Sequence, residues 1–211
     1  VVLKPATDSA IVGGLLFARL FEEAGFPDGV LNVVTGRGSE IGDRVASHPA
    51  SDVVSFTGST EVGRRVAGLA GENLAVPAME LGGNNAHIVT DDADLDAAVD
   101  AGVFGSFVHQ GQVCISINRH VVHEAVHDEY VAKLTERAAN LPAGNAHGQV
   151  AGGPIINESQ RDEMLAYVER TVEAGATLET GGGVVDLDGV DDSLVVEPTV
   201  LSGVTNGVAA A

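Results

Sequence analysis

The chain of 211 residues has no tryptophan, a single cysteine, two lysines and an aromatic content of only 4%. One cysteine excludes an intrachain disulfide, so the fold is not a disulfide scaffold. The shortage of lysine leaves 11 basic residues against 30 acidic ones, a net charge of −19, which argues against nucleic acid or an anionic membrane surface as a partner. No window of about 18 apolar residues exists for a membrane span, and no basic segment leads an apolar one at the start. The expectation is a soluble, cytoplasmic protein.

What is present is enough for a core. Hydrophobic residues make up 45% of the chain, too many for a disordered acidic tail. This ordinary apolar content beside a lysine-poor, acid-rich remainder suits a halophilic protein. At ~1 M salt the Debye length is about 3 Å and self-repulsion of such a surface is largely screened. The melting temperature is therefore expected to rise with added KCl.

Hydrophobic periodicity predicts an α/β fold. Apolar Val1 to Leu3 before Pro5 reads as a strand end, and residues 7–9 can cap a helix with the stripe Ile11, Leu15, Ala18 and Phe21, stopped by Gly25 and Pro27. A strand over 30–34, a helix over 40–47, a strand over 52–56 and a helix opened by Ser59 with Val62, Val66 and Leu69 on one face continue the alternation, which predicts a parallel sheet. Two apolar runs between 76 and 90 are split by Gly82-Gly83-Asn84-Asn85, where a domain boundary is expected. Beyond it the acids Asp91 to Asp96 precede a helix carrying Leu95, Val99, Val103 and Phe107. A strand over 118–123, a helix over 127–139 with Tyr130, Leu134 and Ala138 on one face and a helix over 158–174 with Leu165, Val168 and Val172 follow, while the glycines at 181–183 and the acids at 186–192 read as a solvated hairpin or loop. The chain opens without Met and closes on a glycine- and alanine-rich tail, so a piece of something longer is expected.

Several residues could carry chemistry. Gly58 and Ser59 sit between a strand and a helix, where free N–H groups can bind an anion or where serine simply caps the helix. The turn Gly36-Arg37-Gly38 with Gly42 reads the same two ways. Lys4 stands at a strand end, the edge at which open α/β sheets bind ligands, or it is merely solvated. Cys114, in GQVCIS, lies 34 residues after Glu80, in MELGGNN. A thiolate can attack an electrophilic carbon and a nearby carboxylate can then activate water. Free cysteine is also a common buried filler, so both readings stand at this point. His109 lies too far along the chain to pair with Cys114, and His120, His123 and His127 read as scattered solvated side chains rather than a metal site.

The stretches LKPATDSA, FEEAGFPDGVLNVVTG, VSFTGSTEVGRRV, MELGGNNAHIV, HQGQVCIS, GGPIIN and VEPTVL, in this order and spacing, resemble the NAD(P)-dependent aldehyde dehydrogenases. The resemblance implies an incomplete Rossmann-like parallel-sheet cofactor domain over 1–82, an α/β catalytic domain over 83–205 and an atypical tail over 206–211. It implies Cys114 as nucleophile and Glu80 as general base, hydrolysing a thioester to a carboxylic acid. Lys4, Thr7, Gly58, Ser59, Val62 and Leu81 would form the cofactor-binding set. Many NAD-preferring members carry a glutamate where this chain has Thr7, which leaves NAD and NADP both open. The segment 104–110 is similar to members acting on benzaldehyde-like or vanillin-like aldehydes, so the expected partners are a small aldehyde and, for a full-length form, copies of itself. The family's oxyanion-hole asparagine would precede Val1, and its EEIFGP glutamate would follow Thr205, where this chain reads Asn206-Gly207-Val208. A non-catalytic remnant of the fold is the competing expectation.

Overall fold

A computed structural model describes residues 1–187 and 193–207. Asp188, Asp191, Asp192 and the end of the tail lie outside the described residues. The chain divides into two compact units, residues 1–82 and 83–211.

The first unit holds two parallel strand pairs, β1 (Val2–Leu3) with β2 (Asn32–Val33) and β3 (Val53–Gly58) with β4 (Val76–Leu81). The helix α1 (Leu16–Glu23) connects β1 to β2, α2 (Asp43–Ala46) precedes β3, and α3 (Thr60–Glu72) joins β3 to β4. The strand expected over 30–34 is only two residues long. Its partner β1 ends at Leu3, because Pro5 has no N–H to offer a ladder.

The expected buried stripe of the first helix is also corrected. Ile11 and Leu15 are 74% and 52% exposed. The helical segment instead approaches β1 and β2 through buried Gly14, where a Cβ would lie 2.7 Å from Pro5 and 3.3 Å from Val33. Residues 7–9 form its first, 3-10 turn rather than a cap. Ala46, Val54, Val66, Ala70 and Ala75 form the core of this unit, with Phe56, Leu69 and Met79 packed against them. Val66 and Leu69 thus occupy the predicted face, but Val62 is 45% exposed because it sits in the first turn of α3, ahead of that core.

The second unit pairs β5 (Asn85–Val89) with β6 (Ile117–Val122) in parallel and β7 (Thr177–Thr180) with β8 (Val200–Ser202) antiparallel. The helix α4 (Leu95–Phe107) links β5 to β6, and α5 (His127–Ala139) and α6 (Glu158–Glu173) follow. Asp94 caps α4 by accepting from the Asp96 and Ala97 N–H groups at 3.1 and 3.2 Å. Val89, Val99, Tyr130, Leu134, Ala138 and Val200 form the core, flanked by Leu95, Val103 and Phe107. The predicted stripes of α4 and α5 therefore meet each other there. On α6 the most buried residue is Thr171, whose hydroxyl donates to the Tyr167 carbonyl at 2.7 Å, while Val172, expected on the inner face, is exposed.

Candidate active site

In the first unit the parallel register sets Thr57 opposite Glu80 and Gly58 opposite Leu81. Gly58, Ser59, Glu80 and Leu81 thus gather at the C-terminal edge of one strand pair. Gly63 lets α3 close on that edge, since a Cβ there would meet Leu81 at 2.5 Å. The Ser59 hydroxyl accepts from the Val62 N–H at 3.3 Å, so the serine is an N-cap. The N–H groups of Thr60 and Glu61 have no partner among the described residues. At the end of β1, Lys4 donates through Nζ to the carbonyls of Pro5 at 2.6 Å and Gly36 at 3.3 Å, which ties the strand to the turn after β2. Thr7 lies exposed in the next turn.

Cys114 belongs to the second unit. The chain leaves α4 through His109, Gln110 and Gly111, all in the left-handed region with φ of 57°, 56° and 71°. For two non-glycine residues this is costly, on the order of 1–3 kcal/mol each, and it persists only where the surroundings hold it. Here Gln112 supplies the restraint: its N–H donates to the His109 carbonyl at 3.0 Å and its side-chain oxygen accepts from the Ile156 N–H at 2.9 Å. With its amide turned to satisfy both ends, Gln110 accepts from the Gly153 N–H at 2.8 Å. The motifs GQVCIS and GGPIIN are therefore two sides of one tethered loop.

Beyond Gln112 the chain makes a tight turn over 113–116, closed by the Ser116 N–H donating to the Val113 carbonyl at 2.9 Å. Cys114 and Ile115 form its exposed tip, whereas Ser116 is buried at 2% exposure. The Asn85 carboxamide donates to the carbonyls of Cys114 and Ser116 at 2.9 and 3.0 Å. The Cys114 N–H has no partner among the described residues. Such a turn can present a nucleophile and a backbone donor to the same substrate carbonyl.

A buried polar cluster underlies the route from α4 to this turn. His120 Nδ1 lies 2.7 Å from the Tyr130 hydroxyl and Nε2 lies 2.9 Å from the Ser106 hydroxyl, in the last turn of α4. His87, opposite His120 in the β5–β6 register, packs edge-on with ring centroids 5.6 Å apart. Burial, reinforced by the His87 ring, pushes the His120 pKa down to about 4, and burial pushes Tyr130 up to about 12. The expectation of a solvated His120 is thus corrected: strand alternation separates His120 from His123 but does not reveal that α4 and α5 cover the His120 face. No group of three or more His, Cys, Asp or Glu that could hold a metal ion gathers among the described residues.

Nor is any helix among those residues long and apolar enough to cross a membrane. The pattern of the aldehyde dehydrogenase family matches the chain from residue 1 to residue 211. The chain belongs to that family. It is 46% identical to a vanillin dehydrogenase of Corynebacterium glutamicum over 98% of its own length and 42% of that protein, and 46% identical to a benzaldehyde dehydrogenase [NAD(+)] of Pseudomonas putida over 86% of its length and 38% of that protein. Among solved structures, an NAD-dependent benzaldehyde dehydrogenase from Corynebacterium glutamicum superposes with a TM-score of 0.88 at 44% identity, covering 100% of this chain and 45% of that one. A betaine aldehyde dehydrogenase from Staphylococcus aureus in complex with NAD+ gives a TM-score of 0.92 at 35% identity, covering 99% and 41%. The chain spans less than half the length of these relatives.

Sequence reasoning singled out Cys114 and Glu80 as candidates but not the hydrogen bonds through which Asn85, Gln110 and Gln112 hold the loop around Cys114. Asn85 was legible only as part of a glycine-rich break. For the two glutamines, both preceding a cysteine that is itself in a loop, the available signal was an unusual density of amides in HQGQ.

Proposed function

We propose that this chain carries the chemistry of an NAD-dependent aldehyde dehydrogenase oxidising an aromatic aldehyde to its carboxylic acid. The observation that carries the reading is the only thiol of the chain, exposed at the tip of a tethered turn beside an unpartnered backbone N–H, in a member of this family. The Cys114 thiolate adds to the aldehyde carbon to give a thiohemiacetal. The Cys114 N–H donates to the developing oxyanion. NAD, when bound, would supply the hydride acceptor for oxidation of this adduct to the Cys114 thioester. Glu80 then takes a proton from water, whose oxygen attacks the thioester carbon, and the acid leaves as the thiolate is regenerated.

The cofactor fits the first unit. The unpartnered N–H groups at the start of α3 suit a pyrophosphate, with Gly58, Ser59 and Val62 at its rim and Leu81 beside it. Lys4 and Thr7 would take the adenosine ribose. Thr7 carries no charge to repel a 2′-phosphate, so NADP is tolerated, but the relatives whose names state a cofactor bind NAD. Vanillin and benzaldehyde in the names of relatives support an aromatic substrate, and Glu80 supports release as the acid. The proposal includes a cytoplasmic, high-salt setting and assembly of the natural polypeptide as a homo-oligomer.

The test is reduction of NAD by benzaldehyde and by a short aliphatic aldehyde in molar KCl. Cys114→Ala should lower turnover by at least about a thousandfold. Glu80→Gln should keep a first burst of NADH while losing steady turnover. Undiminished turnover in Cys114→Ala would reject the mechanism, and no turnover in the natural polypeptide would favour a binding remnant.

A further inference from the structure

We infer that Asn85 is a positioning residue for the nucleophile, holding the Cys114 turn through its carboxamide; this rests on the thiol chemistry proposed above. One NH2 group donates to two carbonyls, those of Cys114 at 2.9 Å and Ser116 at 3.0 Å. Both partners are acceptors only, so the nitrogen and not the oxygen must face them, and each of its two hydrogens has a bond to make.

One feature of the backbone aims this side chain. The β5–β6 register shifts between Asn85 and Ala86, with Asn85 opposite Ile117 and Ala86 opposite Arg119, and such an irregularity redirects a side chain at the start of a strand. Gly83 runs alongside the contact: its Cβ position lies 3.4 Å from the Cys114 carbonyl oxygen and 3.5 Å from the Asn85 amide nitrogen, ordinary packing distances. The turn has a single internal bond, from the Ser116 N–H to the Val113 carbonyl, which leaves the peptide plane after Cys114 free to rock. Asn85 holds that plane by the Cys114 carbonyl and ties it to the Ser116 carbonyl two residues on. The thiol hangs from the Cα next to it, so the grip sets where sulfur meets a carbonyl carbon. A ~1 Å misplacement of a reacting group costs about a hundredfold in rate.

Asn85 is itself exposed, so its removal should cost the fold little. The experiment compares Asn85→Ala and Asn85→Asp with the natural polypeptide, by kcat and KM for benzaldehyde, melting temperature and the rate at which iodoacetamide alkylates Cys114, followed on the peptide that carries it, the only thiol in these 211 residues. Aspartate keeps the shape and loses the donors. Both variants should lose ten- to a hundredfold in kcat, while KM and the alkylation rate stay within about threefold and the melting temperature moves by a few degrees only. A merely structural role would move melting temperature and alkylation together with kcat. If Asn85→Ala does not fold, Asn85→Asp decides alone. Turnover within twofold of the unsubstituted protein in the folded variants overturns the inference and leaves the oxidation reading standing; no turnover in the unsubstituted protein rejects that reading, and the positioning role with it.

Discussion

On the function proposed above, the two units solve different problems with different materials. The first has a core of alanines and valines and offers a ligand little except backbone: strand ends, a capped helix start and a lysine spent on two carbonyls. The second has a core built on Tyr130, Leu134 and Val99 and spends its amides on holding one turn against its own backbone preferences. Binding a large cofactor asks for many weak donors on a regular scaffold. Presenting one sulfur atom asks for a few strong restraints on an irregular one.

The strongest way to break this contrast is to hollow the second core. Leu134→Ala should destabilise by about 2–5 kcal/mol, as loss of a buried leucine does, and should lower aldehyde turnover with stability. Chemical denaturation followed by circular dichroism measures it, and a loss below 1 kcal/mol would show that the α4–α5 contact does not carry this unit. Acid acts on the same region. His120 has a folded pKa near 4 against an ordinary 6.5, so the unfolded chain binds more protons between these values. The stability it contributes is fully present above about pH 6.5 and is lost as pH falls toward 4, on the order of 3 kcal/mol across the window. Denaturation midpoints in that window should fall with pH, and His120→Gln should flatten the slope. The smallest expected effect lies in the first unit, where Ser59→Ala removes the cap of α3 at a cost of about 1 kcal/mol. Its signature should be a raised KM for NAD with the KM for aldehyde unchanged, and an equal rise in both would place Ser59 outside the cofactor's reach.

Much of the scaffold was legible in the sequence. The helix over 127–139 was set by Tyr130, Leu134 and Ala138 at helical spacing, and the α4 stripe by Val99 and its neighbours. Periodicity failed where packing departed from it. The first helix packs through Gly14, a residue that no hydrophobic pattern can mark, and so turns its Ile11 and Leu15 outward. The strands β7 and β8 are short, and their pairing joins residues 20 to 25 positions apart across glycines. Of the candidate site, the cysteine and the acid stood out by type and motif. Their supports did not, because Gln110, Gln112 and Asn85 act through partners 29 to 44 residues away that local spacing does not announce.

Those separations also impose an order on the life of the chain. During synthesis Cys114 emerges with Asn85 already made, but Gly153 and Ile156, which restrain the left-handed bend before it, come some 40 residues later. Until then the bend over 109–111 has only the local bond from the Gln112 N–H to the His109 carbonyl to oppose its strain. Cys114 is thus translated some 40 residues before the segment that restrains the bend leading to it.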